Sequence, residues 1–220
     1  MPNEGRELIF SAGHLVLADN LTKLTTVRME RTYYAAFEPG EVRGVFQEEK
    51  KTQIRRLQVT HVTHEKINNL PWIQLATDGW LAADEAVQDL GSYYEHVTAE
   101  SQTAGITFLP KPVFEAFSGA HQTELQRLPV EEAAVHPYLR RLFLRPICQT
   151  AIYHQLPPEE YLNLLCYNRI ISVAERDKVL TQKGLLALVP NSRIFQTILD
   201  TKDKKNVAYR RIVLAGIADW

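Results

Sequence analysis

The 220-residue chain has little cysteine: only Cys148 and Cys166, eighteen positions apart, with no Cys-x-x-Cys pair. No histidine cluster stands at metal-ligand spacing either, so neither a disulfide scaffold nor a zinc site fits; no metal and no cofactor is expected. Both thiols lie in apolar, helix-like context and read as free buried side chains. Long apolar runs are also missing, since none approaches the roughly 18 residues that cross a bilayer. The opening MPNEGRELIF lacks the basic start and apolar stretch of a secretory signal, and the reading is a cytoplasmic protein that does not enter a membrane. There is no internal repeat and no low-complexity segment.

What is present suits a folded core. Hydrophobic residues make up 45% of the chain and charged residues 23%, with nine Tyr, eight Phe and three Trp. The length fits one domain of ordinary size with a substantial extension. Net charge is −1, but it is unevenly spread. Residues 1–109 hold 10 Lys and Arg against 15 Asp and Glu, whereas 110–220 hold 15 against 11. This asymmetry suggests two distinct portions and puts any nucleic-acid surface partly in the second.

Along the first portion, ELIFSAGHLVLADN at 7–20 reads as a short helix despite Gly13. Residues 25–34 alternate with period two and predict a strand. EPGE at 38–41 is turn chemistry, VRGVFQ a second strand, and EEKK a solvated connection to a long third strand over 52–67. A phase change between Ile54 and Leu57 predicts a β-bulge there, and long bent strands of this kind belong to small barrels. LAADEAVQDLGSYY has helical spacing, and AGITFL at 104–109 reads as a closing strand ended by Pro110 and Pro112, where the domain boundary is placed.

Beyond 110 the pattern is helical. HPYLRRLFLRPICQTAIYHQL is amphipathic with a break expected at Pro146, and PPEEYLNLLCYNRII begins with prolines and acids as a helix start should. SVAERDKVLTQKG carries a capping box, Ser172 with Glu175, and a stop at Gly184. NVAYRRIVLAGI is a last strand-like run.

One constellation in this pattern bears on chemistry. Thr26 and Arg28 fall on one face of the first predicted strand, with Lys23 in the turn before it, and Asp78-Gly79 stands directly before a predicted helix. The order LTKLTTVR, EPGEV, LQVTHVTHEKINNL, ATDGWLAADEAVQDLGSYY, AGITFL resembles an ASCH domain of the PUA-like superfamily over residues 7–109. In that family a Gly-x-Lys-Thr-x-Thr/Glu-x-Arg signature leads into the first strand, and a Glu-Gly-aromatic step precedes the second helix.

The resemblance implies an α+β fold: a small PUA-like mixed β-barrel with flanking helices over 1–109, followed by a mostly helical region over 110–220. It implies binding of RNA or a modified nucleoside in a cleft, with Arg28 and Gly79 at the matching ligand positions; Trp72, an aromatic able to stack on a base, is a further candidate contact. In members that hydrolyse acetylated cytidine, the matching lysine, threonine and glutamate are the proposed catalytic trio; here they fall on Lys23, Thr26 and Asp78. Leu21 stands in the place of the family glycine, Leu24 replaces the first threonine, and Asp78 is one methylene shorter than glutamate.

Plainer readings accompany these. Lys23 and Arg28 also read as strand-edge charges, and Asp78 as a carboxylate capping a helix entry. His61 and His64 read as surface residues, Trp80 and Tyr94 as core, and Trp72 as a loop residue free to stack on a base. The succession of helices in 110–220, with Lys178, Lys183 and Arg193, has two readings: a DNA-contacting helix-turn-helix, or a surface that packs on the barrel or on a second copy of the chain.

Overall fold

The computed structural model describes residues 6–11, 13–30, 32–47 and 51–180. The chain divides into two compact units, Met1–Ala133 and Ala134–Trp220. The fold is α+β. In the first unit, strands β1 (Glu7–Ser11), β2 (Thr25–Met29), β3 (Gly40–Gln47), β4 (Thr52–Lys66) and β5 (Gln102–Pro110) form one curled, half-barrel sheet in the order β1-β3-β4-β5-β2. β1 runs parallel to β3, and the other three pairings are antiparallel.

Among the described residues seven α-helices belong to or begin in this unit. α1 (Gly13–Asp19) and α2 (Thr32–Ala35) flank β2 in sequence, and α3 (Trp72–Asp78) and α4 (Ala83–Gly91) lie between β4 and β5. α5 (Lys111–Glu115), α6 (Gly119–Arg127) and α7 (Val130–Val135) follow β5.

The inner strand β5 is buried along nearly its whole length, and apolar clusters form on the sheet, while parts of β1 and β4 remain exposed. One cluster gathers Leu8, Phe10, Phe46, Leu57, Ile106 and Phe108, with Phe10 stacked on Phe46 at 4.9 Å. The other packs Val27 against Ile67, Leu75, Ala86 and Leu90. At about 25 cal/mol per Å² of apolar surface removed from water, these two clusters are the main stabilising feature of the unit.

Several expectations are corrected. Residues 7–20 are a strand followed by a helix, because alternate burial at Leu8 and Phe10 pairs β1 with β3 before the helical spacing of α1 begins. The strand expected over 25–34 stops at Met29, and α2 follows. No irregularity falls between Ile54 and Leu57, which pair continuously with β3; the register shift lies at Val59/His61, against β5. Trp72 is in helix α3, where its indole Nε1 donates to Leu81 O at 3.1 Å.

The second unit contains α8 (Arg140–Tyr153), α9 (Pro158–Tyr167) and α10 (Val173–Leu180). Pro146 does not break α8, which runs through it. The predicted capping box is present: Ser172 Oγ accepts from Glu175 N at 3.1 Å, and Glu175 Oε2 accepts from Ser172 N at 2.8 Å. Cys148 is buried, Cys166 half-buried, and both are free. Gly184, Lys183, Arg193 and the run at 206–217 lie outside the described residues, as does the side chain of Lys178. No helix among the described residues is long and apolar enough to cross a membrane.

Candidate functional site

β2 sits at the edge of the sheet, paired with β5 in a register that sets Thr25 opposite Thr107, Thr26 opposite Ile106 and Arg28 opposite Ala104. Its alternation therefore sends Thr25 and Val27 to one face, and Thr26 and Arg28 to the other. Helix α3 packs against the Thr25 face, and its last residue is Asp78. That position corrects the expectation of a helix-entry carboxylate, since the next helix begins only at Ala83.

A carboxylate at a helix C-terminus gains nothing from the backbone dipole, so Asp78 must find its partners elsewhere. One oxygen, Oδ2, accepts from Val27 N at 2.7 Å, and the other is bonded to the Lys23 ammonium. Lys23 Nζ also donates to Asp78 O at 2.9 Å. The lysine is held at the end of α1 by its own amide, which donates to Leu17 O, while the next amide, Leu24 N, donates to Thr77 O. The ion pair is buried, with side-chain exposures of 8% for Lys23 and 4% for Asp78. Burial, and secondarily Arg28, push the Lys23 ammonium down to about 7, with Asp89 acting in the opposite direction. The contacting Asp78 carboxylate acts the other way, favouring the charged form of the lysine.

Thr26 is fully buried and its hydroxyl has no hydrogen-bond partner among the described residues. Thr25, on the opposite face, is saturated: its hydroxyl meets Thr77 Oγ1 at 2.6 Å and Thr107 Oγ1 at 3.1 Å. Gln74 extends this polar seam, donating from Nε2 to Gly105 O at 3.0 Å and to Thr107 Oγ1 at 3.2 Å.

Arg28 is half-buried beside the Phe10 ring, 5.9 Å from its centre. The structure adds His14, which the sequence reading missed. Its ring meets Phe10 edge-on at 6.3 Å, and its Nδ1 lies 3.2 Å from Ser11 Oγ. Burial first, then Lys23 and Arg28, push this imidazole down to about 4. Reading 7–20 as one helix hid it; the turn-back from β1 into α1 brings it to Phe10 and Arg28.

The remaining candidates divide. Gly79 caps α3 with φ +133°, a backbone conformation that a side chain would strain, so its place beside Asp78 is a requirement of the chain path. Trp72 is half-buried with its indole nitrogen satisfied. Trp80 and Tyr94 pack against the Val27 cluster. His61 is not a surface residue: it is 7% exposed, with Nε2 donating to Leu128 O at 3.0 Å, and burial pushes it down to about 4. His64 pairs with Glu30 at 2.9 Å. A separate concavity of about 330 Å³ beside His61, Thr63, Glu65 and Gln126 contains none of the candidate residues.

Among the described residues no group of His, Cys, Asp and Glu could hold a metal ion. No protein-family model, no curated protein and no solved structure matches the chain.

Proposed function

We propose that the first unit is an ASCH-like, PUA-type domain that binds a modified nucleoside at Lys23, Thr26, Arg28 and Asp78. The observation that carries this reading is the buried Lys23–Asp78 pair anchored on Val27 N of β2, next in sequence to Thr26, whose buried hydroxyl has no partner among the described residues. An ion pair taken out of water is weak evidence of stability, and an unsatisfied buried hydroxyl is a cost; together they are what a site retained for chemistry looks like. Leu21 adds support. Its φ is +58°, so the position where the family has glycine is one where the backbone favours glycine.

A second reading, amide hydrolysis of an acylated nucleoside such as acetylated cytidine, is favoured by the lowered proton affinity of Lys23. In that scheme Thr26 Oγ attacks the acyl carbonyl while its proton passes to neutral Lys23. The exocyclic amine of the base then leaves with a proton returned from the Lys23 ammonium, Asp78 orienting the lysine throughout. Water, deprotonated by Lys23, releases the acyl group from Thr26 and restores the hydroxyl.

Titrating the protein with acetylated cytidine in a calorimeter and following released cytidine by chromatography tests both readings. Binding with turnover that falls at least about 100-fold in Lys23→Ala supports the hydrolase. Binding without turnover leaves the nucleoside-binding domain alone, and no binding removes both.

A further inference from the structure

Among the described residues Arg28 carries its charge without a carboxylate partner. Its Nη2 donates to Ile9 O at 3.1 Å, its Nη1 to Val27 O at 3.2 Å, and its side chain also meets the Tyr34 hydroxyl, all neutral acceptors. The nearby acids are engaged elsewhere: Asp78 by Lys23 and Val27 N, and Glu30 by His64. Among the described residues no carboxylate pairs with Arg28.

His14 and Arg28 both lie against the ring of Phe10. Ser11 fixes the imidazole through Nδ1, and Nε2 has no partner among the described residues. With Lys23 neutralised by Asp78, the guanidinium is the uncompensated charge of the cluster. It opposes protonation of both neighbours, adding to burial in lowering His14 and Lys23. A half-buried cation with donors directed at neutral groups, sharing the Phe10 ring with an imidazole whose Nε2 has no partner among the described residues, is suited to an anion.

We propose that this is a phosphate subsite, and that the ligand of the domain is a nucleotide whose phosphate is held by Arg28 and His14. The inference rests on the nucleoside reading above for the rest of the ligand. A phosphate accepts from the remaining guanidinium N–H groups in the fork geometry that lysine cannot reproduce. His14 contributes through Nε2 as a donor, in the tautomer whose Nδ1 accepts from the Ser11 hydroxyl.

Calorimetry with acetylated cytidine, its 5′-monophosphate and inorganic phosphate, on the full chain, tests the proposal. For the unmodified protein the monophosphate is expected to bind at least about tenfold more tightly than the nucleoside. In Arg28→Ala that gap falls below about threefold, Arg28→Lys restores it only in part, and His14→Asn weakens the monophosphate alone by roughly threefold. Thermal midpoints establish that each variant is folded; His14→Asn, at a half-exposed position, stands in if Arg28→Ala is not. Equal affinity for nucleoside and monophosphate, or equal weakening of both by the variants, overturns the phosphate subsite. If neither nucleoside compound binds, the nucleoside reading falls, and inorganic phosphate decides the subsite. Phosphate binding that Arg28→Ala or His14→Asn weakens preserves it; absence of phosphate binding overturns it too.

Discussion

Lys23 and Asp78 are 55 positions apart, and the lysine ammonium bonds both the carboxylate and the backbone carbonyl of that one aspartate. The carboxylate in turn accepts from Val27 N, the amide of an edge strand. The pair thereby ties the C-terminus of α3 to β2 and to the turn that enters it.

Removing one partner leaves the other as an isolated buried charge. Asp78→Ala is expected to cost about 3–5 kcal/mol, which a urea titration would measure. The double change Lys23→Met with Asp78→Asn should be less damaging than the sum of its singles, with a coupling of about 2 kcal/mol or more. Additive losses would mean that the two groups do not interact in solution.

Thr26→Val exchanges an unpartnered hydroxyl for a methyl of similar volume. The expected result is a gain of about 1 kcal/mol in stability together with loss of turnover on acetylated cytidine, if Thr26 is the nucleophile. A stabilised variant that retains turnover would take Thr26 out of the chemistry.

Leu21 occupies the left-handed region at φ +58°. Leu21→Gly should stabilise the turn by up to about 1 kcal/mol, read as a rise in the denaturation midpoint. A fall in the midpoint would show that the half-buried leucine side chain contributes more than the backbone strain costs.

His61 is held neutral by burial, at about 4 in the folded chain against an ordinary value of 6.5. Between those values the unfolded chain binds a proton that the folded chain does not, so stability rises with pH across that window. It is lost as pH falls from about 6.5 to 4, by an amount on the order of 3 kcal/mol. His14 acts in the same direction, more weakly because it is more exposed. In His61→Gln the acid limb of a stability-against-pH curve should flatten; an unchanged limb would assign acid sensitivity to other groups.

Gly105 has no room for a side chain: an added Cβ would lie 2.6 Å from Gln74 Oε1. Gln74 is fully buried and bonded to Gly105 O and Thr107, so it has little freedom to yield. Gly105→Ala should cost about 1–3 kcal/mol by thermal denaturation, and a neutral result would mean that the amide rotates away freely.

How much was legible in the sequence differs from element to element. Period two over 25–29, the long strand over 52–66 and the capping box at Ser172 and Glu175 are local signals, and each is present. The helix α3 was not legible, because Pro71 at its start reads as loop chemistry when the apolar stripe after it is only two turns long. Residues 7–11 read as helix because a strand buried only at Leu8 and Phe10 is too short to establish its own period. Lys23, Thr26, Arg28 and Asp78 were singled out by the order of motifs. Their contacts were not legible, since the Lys23–Asp78 pair depends on where α3 ends, and His14 reaches Phe10 only through the β1–α1 reversal.

The seam of Thr25, Thr77, Thr107 and Gln74 has a consequence for how the sheet is assembled. Apolar alternation forbids a one-residue slip of β2 along β5 but tolerates a slip of two, which keeps every side chain on its face. A two-residue slip would separate Thr25 from Thr107 and break the chain of hydroxyls that reaches Thr77. The threonines thus act as a vernier on an edge strand: the apolar pattern selects its face, and the hydroxyls select which rung it pairs with.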